Sequence, residues 1–108
     1  GGDRDPMKRP VMAQIAVTGS SKVILTSDNP RTEDPDKILD NMETGINEND
    51  RFRVVRISDR RQAIRTACMM AQSGDIILVA GKGHEKYQEI NGVRNHFDDK
   101  EELSNILK

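Results

Sequence analysis

The sequence predicts an α/β fold: an open, mostly parallel sheet with helices on both faces and a small antiparallel hairpin toward the C-terminal end. Three observations carry that expectation. Short β-branched runs alternate with amphipathic helical segments, the pattern of strands buried on both faces and joined by right-handed helical crossovers. Asn91-Gly92 separates two short alternating runs, a strong local hairpin signal. No internal repeat or low-complexity tract interrupts the alternation. Together these features describe one Rossmann-like domain over residues 1–108.

Each element follows from its residues. The first helix is expected from Pro10 to about Thr18, with Met12, Ile15 and Ala16 on its apolar face. Val23-Ile24-Leu25 is the first strand. Asp34-Pro35 supplies an N-cap and a proline at the first helical position, then Ile38, Leu39 and Met42 form a stripe and Gly45 stops the helix. Phe52 to Ile57, centred on Val54-Val55, is the second strand. A third helix begins at Ser58 or Asp59, carries Ala63, Ile64, Ala67, Cys68 and Ala71 on one face, and ends at Ser73-Gly74. Ile76-Ile77-Leu78-Val79 is a third parallel strand, and the hairpin runs from Tyr87 to Ile90 and from Val93 to Phe97. Asp98 with Glu101 three residues on resembles a capping box, opening a last helix whose apolar face is Leu103, Ile106 and Leu107.

Composition excludes several function classes. Seventeen Lys+Arg against 18 Asp+Glu leave a net charge of −1, which argues against a dedicated nucleic-acid binder. Aromatic residues make up only 3% of the chain, so no stacking platform for single strands exists. Nothing approaches the roughly 18 to 20 consecutive apolar residues of a membrane span, and no signal peptide opens the chain; the expected location is the cytoplasm. The single cysteine, Cys68, rules out an internal disulfide and a cysteine metal cluster, and reads as a small core hydrophobe. No histidine pair has metal-ligand spacing, so no metal site is expected. The charge-rich stretch 48–61 reads as solvated strand and helix edges.

In sheets of this class ligands sit beyond the carboxyl ends of the strands, which directs attention to the loops after Thr26 and after Ala80. In the first, Asp28 and Asn29 fold back on nearby amides and Pro30 forces Asn29 to be extended. Arg31 then projects a guanidinium suited to a carboxylate or phosphate. An ordinary turn, with Arg31 paired to Glu33 or Asp34, is the alternative. In the second, the glycines of Gly81-Lys82-Gly83-His84-Glu85 permit close backbone approach and Glu85 accepts from an ammonium group. His84 reads as hydrogen-bonding support and His96 as incidental. Gly1-Gly2-Asp3-Arg4-Asp5 reads as a further post-strand loop, that of a piece of a longer protein, with Arg4 adding a second guanidinium at the same sheet edge. Two arginines and one carboxylate make a plausible amino-acid site.

Four blocks then occur in a specific order: Gly1-Gly2-Asp3-Arg4-Asp5 with Lys8-Arg9-Pro10 and Met12-Ala13; Thr26-Ser27-Asp28-Asn29-Pro30-Arg31; Val79-Ala80-Gly81-Lys82-Gly83-His84-Glu85 with Tyr87-Gln88; and Phe97-Asp98-Asp99. In that order and over essentially the whole chain, the sequence resembles the C-terminal domain of the Mur ligases, and among them the diaminopimelate-adding MurE ligases. The resemblance implies a cytoplasmic step of peptidoglycan synthesis. ATP phosphorylates the γ-carboxylate of D-glutamate in UDP-MurNAc-L-Ala-D-Glu, and an amine of meso-diaminopimelate attacks the acyl phosphate and expels phosphate.

Carried onto matching positions, the resemblance assigns meso-diaminopimelate binding to Arg4, Asp28, Asn29, Pro30, Arg31, Gly81 and Glu85. Asn29 and Arg31 would hold the distal carboxylate, Gly81 and Glu85 the distal amine, and Arg4 another carboxylate. Lysine lacks the distal carboxylate, so an unpartnered Arg31 would penalise it by about 1 to 3 kcal/mol. The phosphate loop, the magnesium ligands and the uridine-nucleotide domain of the family are absent from this sequence. The resemblance therefore implies no catalytic residue in this chain, no activity for it alone, and ATP and Mg2+ held mainly by a central domain. Lys8, Arg9 and Lys82 are candidates for touching nucleotide on domain closure. A monomer is expected. Two other readings stand beside this one: a stand-alone α/β module binding an amino acid or phosphate, and another amide ligase of the superfamily.

Overall fold

The computed structural model describes residues 5–72, 74–79, 87–90 and 93–107. Its first unit is α1 (Lys8–Gly19), β1 (Val23–Leu25) and α2 (Pro35–Glu43), followed by a short 3-10 helix (Glu48–Arg53) and β2 (Val54–Arg56). Strands β1 and β2 pair in parallel, with Val23 opposite Val54 and Leu25 opposite Arg56. Helix α3 (Arg60–Met70) follows β2 directly, and the chain continues into the antiparallel pair β3 (Tyr87–Ile90) and β4 (Val93–His96) and then α4 (Asp99–Leu107). The register of β3 and β4 sets Ile90 opposite Val93, so the expected hairpin forms; Asn91-Gly92 themselves lie outside the described residues.

The core gathers on the face of β1 where Val23 and Leu25 point. Ala13 and Val17 of α1, Leu39 of α2 and Ile46 close over them, with Ala16, Met42 and Val54 packed at the margin. The buried face of α1 is thus Arg9, Ala13 and Val17, with Ala16 beside it. The expected face is wrong for two residues: Met12 and Ile15 are 54% and 67% exposed. Small residues win the inner face because α1 and α2 approach closely. A Cβ on Gly45 would lie 2.0 Å from the Pro10 carbonyl oxygen, so Gly45 does more than end a helix; only a hydrogen fits between the two elements.

The helix starts follow the sequence closely. Asp34 caps α2 by accepting from the Asp36 N–H at 2.9 Å, with Pro35 at the first helical position. Asp59 accepts from the Arg61 and Gln62 N–H groups at the start of α3. Asp98 accepts from the Lys100 N–H at 3.0 Å at the start of α4. Ala63 and Ile64 form the buried face of α3, and Cys68 is half-buried beside that face.

Two further expectations are corrected. The 76–79 run is not a strand: it pairs with no described strand, and Ile76 and Leu78 are 94% and 86% exposed. An apolar run specifies what is to be buried but not which sheet edge will accept its backbone, and a strand needs both. The 48–61 stretch is also more than solvated edges. It opens as the 3-10 helix, so the second strand is shorter than expected. The Arg53 Nη1 donates to the Val17 and Ser20 carbonyls at the C-terminal end of α1, at 3.1 and 2.6 Å. Arg56 binds Asp40, Asp36 and Glu43 of α2, and the Asp40 hydrogen bond raises its already high pKa.

Replacing Gly45 by alanine is expected to push α1 off α2 and to lower stability by about 1 to 3 kcal/mol, the usual cost of overpacking. Urea unfolding of the variant against the parent measures it.

Candidate functional site

The carboxyl ends of β1 and β2 lie side by side. The Ile57 N–H donates to the Leu25 carbonyl at 2.9 Å, and the Ser27 N–H and Thr26 hydroxyl both reach the Ser58 carbonyl. The loop that follows β1 is therefore fixed at its root, at the sheet edge where α/β folds place ligands. Asn29 and Pro30 are fully buried within it.

Two hydrogen bonds from one residue hold the far end of the loop. The Glu89 N–H donates to Asn29 Oδ1 at 2.8 Å, and the Arg31 N–H donates to the Glu89 carbonyl at 2.9 Å. The loop is thus stitched to β3. Arg31 sits at φ 56°, the left-handed region that a side-chain-bearing residue rarely adopts, at a cost of about 1 to 3 kcal/mol. Three constraints hold it there: the Glu89 bridge, the fixed φ of Pro30, and an Nη1 hydrogen bond to the Asn29 carbonyl at 3.2 Å. Arg31 is half-buried, so its guanidinium stands in partial shelter from water.

Asp28 folds back as expected, accepting from the Asn29 N–H at 2.6 Å. Burial works against its charged form, while the Asn29 N–H and the nearby Arg60 guanidinium favour that form. Glu33, the alternative partner considered for Arg31, instead accepts from Arg9 Nη2 at 2.8 Å.

Arg60, which the sequence reading did not single out, is the best-buried charge among the described residues of this edge, at 2% exposure. Its Nε and Nη2 grip both carboxylate oxygens of Asp99 at 2.7 and 2.6 Å, and its Nη1 donates to the Ser27 carbonyl at 3.0 Å. A signal for it was available: Arg60 lies in phase with Ala63, Ile64 and Ala67, on the apolar stripe of α3. Next to it, Arg61 binds Glu102 at 2.9 Å and stands 5.4 Å from the centre of the Phe97 ring. A cleft of about 460 Å³ opens here, lined among others by Ser27, Pro30, Ser58, Asp59, Gln88 and His96.

Of the residues expected to bind ligand, Asp28, Asn29, Pro30 and Arg31 thus come together in one braced loop. Arg4, Gly81 and Glu85 lie outside the described residues, as do Lys82 and His84. Arg9 is buried against Glu33. His96 is exposed, 3.1 Å from the Glu101 carboxylate. Chemically, the loop carries a half-buried guanidinium in a fixed direction and, three positions earlier, a carboxylate, a combination suited to a zwitterion.

Comparison with known proteins gives a consistent result. Residues 1–83 match the model of the family described as Mur ligase, glutamate ligase domain. The chain is 60% identical over 107 residues to the UDP-N-acetylmuramoyl-L-alanyl-D-glutamate--2,6-diaminopimelate ligase of Phocaeicola vulgatus, covering 99% of this chain and 22% of that protein. It is 54% identical over 107 residues to the protein of the same name from Lactiplantibacillus plantarum, covering 21% of it. A solved structure of a ligase of that name superposes with a TM-score of 0.91 at 55% identity, over 99% of this chain and 22% of the other. The chain thus spans about a fifth of the length of the relatives it matches.

Replacing Asn29 by alanine removes the acceptor for a sheltered Glu89 N–H, and is expected to cost about 1 to 3 kcal/mol. Faster hydrogen exchange at the Glu89 amide, with β1 and β2 amides unchanged, is the signature that separates loss of the loop bridge from general unfolding.

Proposed function

The chain belongs to the Mur ligase family through its glutamate ligase domain, and from that membership we propose that it is the amino-acid-binding C-terminal domain of an ATP-dependent ligase adding meso-diaminopimelate to UDP-N-acetylmuramoyl-L-alanyl-D-glutamate. The braced Asp28-Asn29-Pro30-Arg31 loop carries the reading. Its left-handed Arg31, held at both the backbone and the side chain, supplies a directed cation of the kind that a distal carboxylate requires. The names of the relatives at 54 to 60% identity support diaminopimelate as the added amino acid.

In this reading the γ-carboxylate of D-glutamate is activated by ATP as an acyl phosphate elsewhere in the enzyme. This chain presents the amine of meso-diaminopimelate, which attacks the acyl carbon; the tetrahedral intermediate collapses with loss of phosphate, and the nitrogen gives up a proton. The contribution of this chain is proximity and selection. Arg31 and Asn29 orient the distal carboxylate, while Arg4, Gly81 and Glu85 complete the site around the other carboxylate and the distal amine. Mg2+ accompanies ATP in this reading. Among the described residues no group of three or more His, Cys, Asp or Glu side chains is arranged to hold a metal, so no residue here is assigned to it.

The nucleotide-facing candidates narrow to Lys8, which is exposed, and Lys82, because Arg9 is committed to Glu33 inside the chain. The proposed ligase is cytoplasmic and monomeric; no helix of the described residues is long and apolar enough to cross a membrane.

Arg31→Ala in the full-length ligase tests the assignment. Removing one partner of a sheltered charge pair costs about 2 to 5 kcal/mol, so kcat/KM for meso-diaminopimelate is expected to fall at least about thirtyfold. Any turnover of L-lysine at high concentration is expected to change by less than about threefold, since lysine has no group for Arg31. Equal losses with both amino acids contradict the assignment.

A further inference from the structure

We infer that Arg60 is a positioning residue for amino-acid selection, holding the Arg31 loop in register through the Ser27 carbonyl while Asp99 holds Arg60. The inference rests on the ligase reading of the preceding subsection. It starts from the geometry of one guanidinium. Arg60 is 2% exposed, and a buried charge of this kind persists only where its donors are matched. Asp99 takes two of them in a parallel, bidentate arrangement, which fixes the plane of the fork, and that plane aims Nη1 at the Ser27 carbonyl.

A contact between α3 and α4 does not require this arrangement. Arg61 already ties the two helices through Glu102 and covers Phe97, and Asp59 caps α3 independently. What Arg60 adds is the link to the loop. Ser27 lies four positions before Arg31, with Asn29 and Pro30 rigid and buried between them, and Arg31 is fixed at the other end by Glu89. A chain this short and stiff passes a displacement of Ser27 on to Arg31. Because Arg31 already occupies a costly backbone region, it has a lower-energy conformation to relax into once either end is released. The cation meant for the distal carboxylate then loses its direction while remaining charged.

The test uses steady-state kinetics of the full-length ligase with meso-diaminopimelate, L-lysine, ATP and the UDP-linked dipeptide varied in turn. Arg60→Lys keeps a positive charge for Asp99 but not the three-point fork. KM for meso-diaminopimelate is expected to rise about tenfold or more, and the preference over lysine to shrink in proportion, since small misplacements of a binding group carry costs of this order. KM for ATP and for the dipeptide is expected to stay within about twofold, because neither meets this loop in the proposed reading. Asp99→Asn, which keeps an acceptor for Arg60 but not the bidentate carboxylate, is expected to shift the same constant in the same direction by less. It supplies the measurement if Arg60→Lys does not fold.

A folded variant with KM for meso-diaminopimelate unchanged, or with only thermal stability and kcat lowered, overturns the positioning role and leaves a structural ion pair. A wild-type enzyme that turns over no meso-diaminopimelate overturns the ligase reading and this inference with it, so the two failures are told apart by the wild-type control.

Discussion

Much of this sheet edge hangs on a desolvated guanidinium. Arg60 lies under the loop after β1, at the start of α3 and against the start of α4, so three segments far apart in sequence meet on one side chain. Ion pairs in such places are weak evidence for net stability, because desolvation consumes most of the attraction, but removing one partner is costly. The Arg60–Asp99 pair therefore acts as a constraint. It leaves few arrangements of the loop, α3 and α4 in which the charge is satisfied, and the observed one sets Ser27, and through it Arg31, in place.

The same logic recurs on a smaller scale within the loop. Arg31 bears backbone strain that only a rigid surround sustains, and its surround is unusually short-range: a proline before it, its own Nη1 on the Asn29 carbonyl, and Glu89 across the gap. Asn29 supplies the reciprocal bond with its side-chain oxygen, so the two residues brace each other across the gap between the loop and β3. The loop is held rigid by β3 on one side and by α3 and α4 on the other, and in the proposed reading that rigidity preorganises it for an anionic group.

Local signals in the sequence translated well. Asp34-Pro35, Asp59 and Asp98 mark helix starts, Asn91-Gly92 marks the hairpin, and Asp28-Asn29-Pro30-Arg31 marks the tight, folded-back loop after β1, because each acts through backbone geometry within a few residues. Long-range choices did not. The 76–79 run is apolar enough for a strand, yet its side chains at Ile76 and Leu78 face solvent. Met12 and Ile15 were the larger apolar residues of α1, yet Ala13 and Val17 took the core because Gly45 and Pro10 bring α2 close. The burial of Arg9 and the role of Arg60 escaped notice for one reason: each is a charge in phase with an apolar stripe, Arg9 with Ala13 and Val17, Arg60 with Ala63 and Ile64. Periodicity exposes such residues when charges as well as apolar positions are followed.

The central claim is that the loop after β1 recognises a distal carboxylate, and an NMR titration of the isotope-labelled 108-residue chain tests it most directly. With meso-diaminopimelate, saturable shifts are predicted at the Asn29 and Arg31 amides and, through the shared hydrogen bonds, at Glu89, with much weaker shifts for L-lysine at the same concentrations. Equal responses to the two amino acids, or shifts scattered over α1 and α2 with the loop silent, contradict the claim.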